Sequence, residues 1–355
     1  MSKIVLVSTS LKMGGVEQAS VNLANGLKNI GHDVTFISLF NQTKFFNLND
    51  GIKFIEPDDF NIDRLSIIKS ILWLRKIIIS ENPSAVVVFQ KFYSALVLVA
   101  LSGTFKRIFI SERSSPKFKW PLHVRIFSNI VFLFLKPAGI IAQTKIAEEY
   151  QKKYYGKKVP VKVIPNVVRD VKLYPDIQRK NVILAVGRFG DYQKGFDRLI
   201  MAFALIKNKW ELHFAGGCDE DGNLKNMARE LGVSERVRFL GKVKDMDRVY
   251  AEAGIFVITS RSEGFPNALC EAMAAGLPCI SFDFIAGPRE IITSGQNGIL
   301  VENGNISALA KAIDHLIENP SERARLGQSA LKIRDRLNIE KIGRLYSDFI
   351  LEKNG

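Results

Sequence analysis

The sequence predicts an α/β protein of two doubly wound parallel sheets, one in each half of the chain, facing each other across a cleft. Apolar runs of strand length alternate with helix-length segments from end to end, the pattern of a parallel sheet with helices on both faces. The alternation is interrupted once, in the Pro- and charge-containing stretch 165–180, and then restarts. A length of 355 residues, 47% of them hydrophobic, suits two ordinary cores better than one very large one. In the first half the expected strands are Ile4–Val7, Val34–Leu39, Ala85–Phe89, Arg107–Ile110, Gly139–Ala142 and Val161–Ile164. In the second they are Val182–Val186, Leu212–Ala215, Val237–Leu240, Ile255–Ile258, Pro278–Ser281 and Gly298–Val301. Gly187, Gly216, Gly241 and Gly276 punctuate element ends there. Ser321–Arg336 and Ile339–Lys353 read as helices, the last packing back on the first domain. The domains are therefore set at residues 1–170 and 171–336, with 337–355 as a C-terminal helix.

Several function classes fall away on composition. The longest apolar stretches, Ala95–Leu101 and Ile126–Leu135, are shorter than the roughly 20 residues of a membrane-spanning helix. Met1, Ser2 and Lys3 run straight into Ile4–Val7, which reads as a first strand and not as a secretory leader, so a cytoplasmic protein is expected. Cys218, Cys270 and Cys279, like His32, His123, His213 and His315, are scattered without disulfide or ligand spacing. Asp219-Glu220-Asp221 is formally a metal-holding string, but its turn-like setting between a strand and a helix argues for a turn, and no metal is expected. Asp245 is expected to cap a helix.

The net charge of +14 is unevenly placed. Residues 1–170 carry 24 Lys and Arg against 12 Asp and Glu, and residues 171–355 carry 26 against 24. Between 101 and 136, Lys106, Arg107, Arg113, Lys117, Lys119, Arg125 and Lys136 are interleaved with Phe105, Phe109, Phe118, Trp120, Phe127, Phe132 and Phe134. Cations mixed with aromatics suit an anionic membrane surface, and Ile67–Ile79 strengthens that reading. The alternative is that both apolar faces are core and the cations are solvated.

Three loops carry candidate chemistry. Glu263-Gly264-Phe265-Pro266 leads into a helix expected near Asn267, with Glu271 about one turn in. Backbone N–H groups of Gly264, Phe265 and the helix start can face an anion, Glu263 can accept hydrogen bonds from sugar hydroxyls, and Glu271 from a second diol such as a ribose. The alternative is a pair of solvated first-turn charges. Gly14 and Gly15 follow the first strand and allow close backbone approach ahead of a helix with free N–H groups. Arg188 follows the strand Val182–Val186, and Lys194-Gly195 comes six residues later, giving two cations or a solvated pair at a helix start.

Together these segments resemble the retaining glycosyltransferases of family 4, over essentially the whole chain, which implies the GT-B fold of two Rossmann-like domains. Glu263 to Glu271 resembles that family's EGFP…E signature, Met13-Gly14-Gly15-Val16-Glu17 its glycine-rich loop, and Gly187-Arg188 with Lys194-Gly195 its GR…KG pattern. Val163-Ile164-Pro165-Asn166 resembles its segment before the interdomain linker. The resemblance implies that Gly14, Gly15, Arg188 and Lys194 meet a donor diphosphate. It implies further that Glu263, Gly264, Phe265 and Pro266 hold the donor sugar, that Glu271 holds the ribose, and that Lys242 and Val243 lie in the nucleobase loop. Glu263, Arg188 and Lys194 are the candidate catalytic residues. Where many members have a histidine that contacts the sugar, this chain reads Ser111-Glu112-Arg113-Ser114. Arg113 can donate hydrogen bonds there but cannot act as a base, Glu112 is an alternative, and the two can instead form a structural ion pair.

The implied activity is a metal-independent hexosyltransferase with no cofactor beyond a nucleotide sugar as cosubstrate, UDP-linked by family frequency. Its expected acceptor is a lipid-linked oligosaccharide of a bacterial surface polysaccharide, such as a lipopolysaccharide O-antigen. Its expected place is peripheral, on the cytoplasmic face of the inner membrane. A GT-B-fold sugar-nucleotide epimerase and a transferase with a soluble acceptor are the alternatives. No nucleic-acid partner is expected, because charge alone explains none of the three loops.

Overall fold

The computed structural model describes residues 1–352 apart from 58–66, 105, 116, 117, 119, 157, 218–221 and 286. The chain divides into two compact units, Met1–Val167 with Leu337–Gly355, and Val168–Arg336. Asp219-Glu220-Asp221, Cys218, Phe105, Lys117 and Lys119 lie outside the described residues. Among the described residues no helix is long and apolar enough to cross a membrane.

In the first unit β1 (Lys3–Ser8), β2 (Asp33–Ser38), β3 (Lys53–Ile55), β4 (Ala85–Phe89), β5 (Ile108–Ser111), β6 (Gly139–Ala142) and β7 (Val161–Val163) form a parallel sheet ordered β3-β2-β1-β4-β5-β6-β7. β1 and β4 sit centrally because Ile4–Val7 and Ala85–Phe89 are apolar at every position, as strands covered on both faces must be. The edge strand β3 is missing from the predicted strands. Its three residues are exposed or half-buried, too short a run to show strand periodicity.

A buried carboxylate ties that edge together. At the end of the helix Ile67–Glu81, Glu81 accepts from Thr35 Oγ1 on β2 at 3.1 Å, from Lys3 Nζ on β1 at 2.8 Å and from Lys53 Nζ on β3 at 2.5 Å. Burial pushes the Glu81 carboxyl up, but the hydrogen bonds from Lys3, Lys53 and Thr35 outweigh it and hold the group down at about 2.

The C-terminal helix Ile339–Leu351 packs on the helix Gly15–Asn29. Gly26 permits this: a Cβ there would meet the Ile339 carbonyl oxygen at 2.8 Å. The contact brings fully buried Tyr346 under β5 and sets Phe349 edge-on against Phe109.

In the second unit β8 (Val182–Val186), β9 (Glu211–Ala215), β10 (Val237–Phe239), β11 (Ile255–Ile258), β12 (Cys279–Phe282) and β13 (Ile299–Val301) form a parallel sheet ordered β10-β9-β8-β11-β12-β13. Arg179 staples two helices beside it. Its guanidinium donates to the carbonyls of Tyr250 and Ala253, at the end of the helix Met246–Glu252, and of Ala275 and Gly276, at the end of the helix Asn267–Ala274. These carbonyls lack intrahelical partners, and a cation there also meets the negative ends of both helix dipoles. Asp245 caps the helix Met246–Glu252, accepting from the Arg248 N–H at 3.0 Å. The expected helix Ser321–Arg336 is two helices, Pro320–Ala330 and Ile333–Arg336, and the turn between them brings Arg334 to the carbonyls of Val171 and Ala274.

Glu81→Gln should cost about 2 kcal/mol in urea unfolding at neutral pH, because Lys3 and Lys53 lose their charge partner. The depressed carboxyl contributes fully above its ordinary value of 4.5 and loses that contribution as pH falls through about 2. The stability gap between variant and parent should therefore close across that window on acidification.

Candidate functional site

Each sheet reverses its strand order at one place, between β1 and β4 in the first unit and between β8 and β11 in the second. At such a switch point neighbouring loops leave the carboxyl ends of the strands in opposite directions and open room for a ligand. The sequence-predicted residues lie mostly at these two places.

In the second unit, the loop after β8 ends in a single turn, Tyr192–Lys194, followed by Gly195 at φ +63. Gly195 lies against the strand end after β11, where a Cβ would meet the Thr259 carbonyl oxygen at 2.2 Å. Thr259 Oγ1 also donates to the Gly195 carbonyl at 2.8 Å. That contact delivers Lys194 Nζ to Glu263 Oε1 at 2.8 Å, and Ser260 Oγ donates to the same oxygen at 2.7 Å. Arg261 reinforces the join with a two-pronged bond to Asp197 at 2.8 and 2.5 Å, stacking over the Tyr192 ring at 3.8 Å. Lys194 and Glu263 are both largely shielded, whereas the Arg188 side chain is 79% exposed and stands 3.3 Å from Asp191. The structure thus brings Lys194 to Glu263 and leaves Arg188 reaching into solvent.

The rest of the segment is fixed by packing. Phe265 is buried, and Pro266 abuts Gly287, where a Cβ would meet Pro266 Cδ at 2.7 Å. Gly264 and Pro266 therefore lead directly into the helix Asn267–Ala274. On that helix Glu271 lies 3.3 Å from Arg169 Nε and accepts from Tyr250 Oη at 3.3 Å. Arg169 also pairs with Asp247. Burial opposes its charge, but Asp247 and Glu271 hold the guanidinium firmly protonated. Neither Arg169 nor Tyr250 belongs to any local motif; each meets Glu271 only through the fold. After β10, Lys242 is exposed and Val243 half-buried, on a loop anchored by the Gly216 N–H donating to the Gly241 carbonyl at 2.8 Å. Cys270 is buried, and its burial, with Glu271 beside it, pushes the thiol up and away from nucleophilic use.

In the first unit, Gly14 is extended and precedes the helix Gly15–Asn29. A Cβ on Gly14 would meet Glu17 Oε2 at 2.2 Å, so any side chain there would have to displace the Glu17 carboxylate, whose Oε1 accepts from Thr9 Oγ1 at 2.6 Å. Gly15, at the start of the helix, is exposed. Across the switch point Gln90 holds φ +69 between β4 and the helix Lys91–Ala100, a backbone strain that a non-glycine residue keeps only where its surroundings impose it. Arg113 is buried. It donates to Asn166 Oδ1 and Tyr346 Oη, and Asn166 Oδ1 accepts also from Gln143 Nε2 at 3.1 Å. Glu112 accepts from the Ser114 N–H at 2.9 Å, and burial pushes its carboxyl up. The bonds of Arg113 join the carboxyl ends of the strands to the C-terminal helix.

Known proteins resemble the chain along both units. Residues 13–171 match the family described as Glycosyltransferase Family 4, and residues 174–333 the family described as Glycosyl transferases group 1. An uncharacterized glycosyltransferase of Haemophilus influenzae is 30% identical over 338 residues, covering 93% of this chain and 94% of the relative. An N-acetyl-D-galactosaminyltransferase of Campylobacter jejuni, whose name gives a PP-undecaprenol-linked glycan as its acceptor, is 24% identical over 93% of each chain. The crystal structure of Anabaena HepE with UDP and glucose superposes with a TM-score of 0.81 at 18% identity, over 98% of this chain and 99% of its own. The chain belongs to the family 4 glycosyltransferases, and its two parallel sheets are those of the GT-B fold.

Gly195→Ala should lower the stability of the second unit by about 2–4 kcal/mol in urea unfolding, since the methyl group meets a backbone carbonyl as well as a left-handed φ. Gly190→Ala, at φ +74 but facing open space, should cost only about 1 kcal/mol.

Proposed function

We propose that this glycosyltransferase moves a hexose or N-acetylhexosamine from a UDP sugar to a lipid-linked oligosaccharide, with retention of the anomeric configuration, in the synthesis of a bacterial surface polysaccharide. The observation that carries the reading is the Lys194–Glu263 pair, shielded and seated at the carboxyl edge of the second sheet beside its switch point. The acceptor named for the Campylobacter relative and the UDP in the Anabaena structure support the choice of acceptor and nucleotide. The place of action in this reading is the cytoplasmic face of the inner membrane.

Without donor, Lys194 is neutralised by Glu263. A diphosphate arriving at the start of the helix Asn267–Ala274 offers Lys194 a second anion and meets the positive end of the helix dipole. Glu263, an acceptor on both oxygens, is then available to sugar hydroxyls while Ser260 keeps it in place. Arg188, exposed beside Asp191, completes the cation pair by a side-chain rotation. Glu271 accepts from the ribose diol, its carboxylate oriented by Arg169 and Tyr250.

The reaction breaks the bond between the anomeric carbon and the UDP oxygen and forms one to the acceptor oxygen on the same face. The acceptor hydroxyl proton passes to the departing phosphate oxygen. Lys194 and Arg188 stabilise the charge that develops there, which is electrostatic catalysis by fixed cations.

Purified protein incubated with UDP sugars and a polyprenyl-diphosphate-linked glycan should yield a lipid product heavier by one sugar, α-linked by proton coupling. Interconversion of the nucleotide sugar without acceptor would instead identify an epimerase. Lys194→Ala and Glu263→Ala should each lower transfer at least about 100-fold while the chain stays folded, with an unfolding midpoint lowered only by the loss of the ion pair. Near-normal turnover in either variant would remove that residue from the mechanism.

A further inference from the structure

The helix Leu122–Phe134 is apolar on both sides, yet only one side is covered. Val124, Ser128, Val131 and Phe132 face the core, whereas Leu122, Ile126, Ile130, Leu133 and Phe134 recur at helical spacing along the other side and are exposed, Leu133 at 68% and Phe134 at 77%. A helix apolar all round is ordinarily buried all round. Ahead of it Phe118 is exposed and packs edge-on against Trp120. The helix Ile67–Glu81 repeats the feature with exposed Ile68, Leu72 and Ile79, and both helices flank the helix Lys91–Ala100 on one side of the sheet. The solvated-cation alternative therefore fails on its first half: these side chains are not core. A contiguous apolar stripe on a surface marks an interaction site.

Charge decides the occupant. Arg125, Lys136, Lys69 and Lys76 are exposed beside the stripe, and the single acid of the two helices, Glu81, is buried and bound to Lys3 and Lys53. The neighbouring helix Lys145–Tyr155 carries Lys145, Lys152 and Lys153 against Glu148 and Glu149. A second copy meeting this face about a two-fold axis would set these cations against their own likeness. An anionic phospholipid surface complements both the stripe and its rim. We propose that the helix Leu122–Phe134 lies in the headgroup region of an anionic bilayer, with Leu122, Ile126, Ile130, Leu133 and Phe134 submerged and Arg125 and Lys136 on the lipid phosphates. This deepens the lipid-linked-acceptor reading and rests on it for its purpose, although its test needs neither donor nor turnover.

Sedimentation of the full chain with sucrose-loaded vesicles provides that test. The protein should pellet with phosphatidylcholine vesicles containing phosphatidylglycerol and stay in the supernatant with phosphatidylcholine alone. Leu133→Asp with Phe134→Asp should reduce partitioning at least about ten-fold, and so should Arg125→Glu with Lys136→Glu. Leu133, Phe134 and Arg125 are exposed, and Lys136 makes one hydrogen bond, to the Phe132 carbonyl at 2.6 Å, so the first double variant should unfold at the parent's temperature, the second slightly below it, and both should retain UDP binding. Undiminished pelleting of either double variant, or failure of the parent to pellet, would overturn the proposal. So would a dimer by light scattering that Leu133→Asp with Phe134→Asp dissociates. Loss of vesicle binding with transfer to a detergent-dispersed acceptor intact would leave the transferase reading standing, and the reverse pattern would remove that reading alone.

Discussion

Gly195 lies so close to the Thr259 carbonyl that no side chain fits between them, and much of the second unit's chemistry follows from that approach. The loop after β8 and the loop after β11 leave the sheet at its switch point, where they would ordinarily diverge. Gly195 and Thr259 hold them together, and Arg261 with Asp197 closes the join on the solvent side. Lys194 and Glu263 are therefore neighbours by backbone constraint before they are neighbours by charge. Their ion pair keeps each from being a lone charge in a partly desolvated place, where an unpaired group would be costly. An anionic ligand that draws Lys194 away from Glu263 leaves that carboxylate to the Ser260 hydroxyl and to whatever donors the ligand brings.

The two units differ in what they present. The second shows polar and charged loops joined by several ion pairs, and its Lys, Arg, Asp and Glu nearly balance. The first carries the charge excess and an uncovered apolar helix face, with a strained Gln90 and a buried Thr9–Glu17 bond at its own switch point. A polar nucleotide sugar and an amphipathic glycolipid make opposite demands on a surface, and the proposed reading assigns them to separate units of the chain.

The fold was legible in the sequence wherever strands were buried on both faces. Ala85–Phe89 and Val182–Val186 announce themselves by uninterrupted apolar, largely β-branched residues, whereas β3, half-exposed and three residues long, carries no such pattern. The Glu263–Glu271 segment was legible because its glycine, proline and acids have local reasons to be there. Arg169 and Tyr250 were not, since each meets Glu271 only after distant strands have paired. Arg113 is held by partners that its motif does not announce. Its neighbours in sequence say nothing of Tyr346, which reaches it from the C-terminal helix.

Calorimetric titration with UDP and with uridine, on the parent and on Lys194→Ala, bears most directly on the site. UDP should bind at one site per chain and weaken at least about ten-fold in the variant, while uridine, which lacks the diphosphate, should bind both proteins alike. Equal affinity of UDP for the two proteins, or a parallel loss for UDP and uridine, would contradict a diphosphate seat at Lys194.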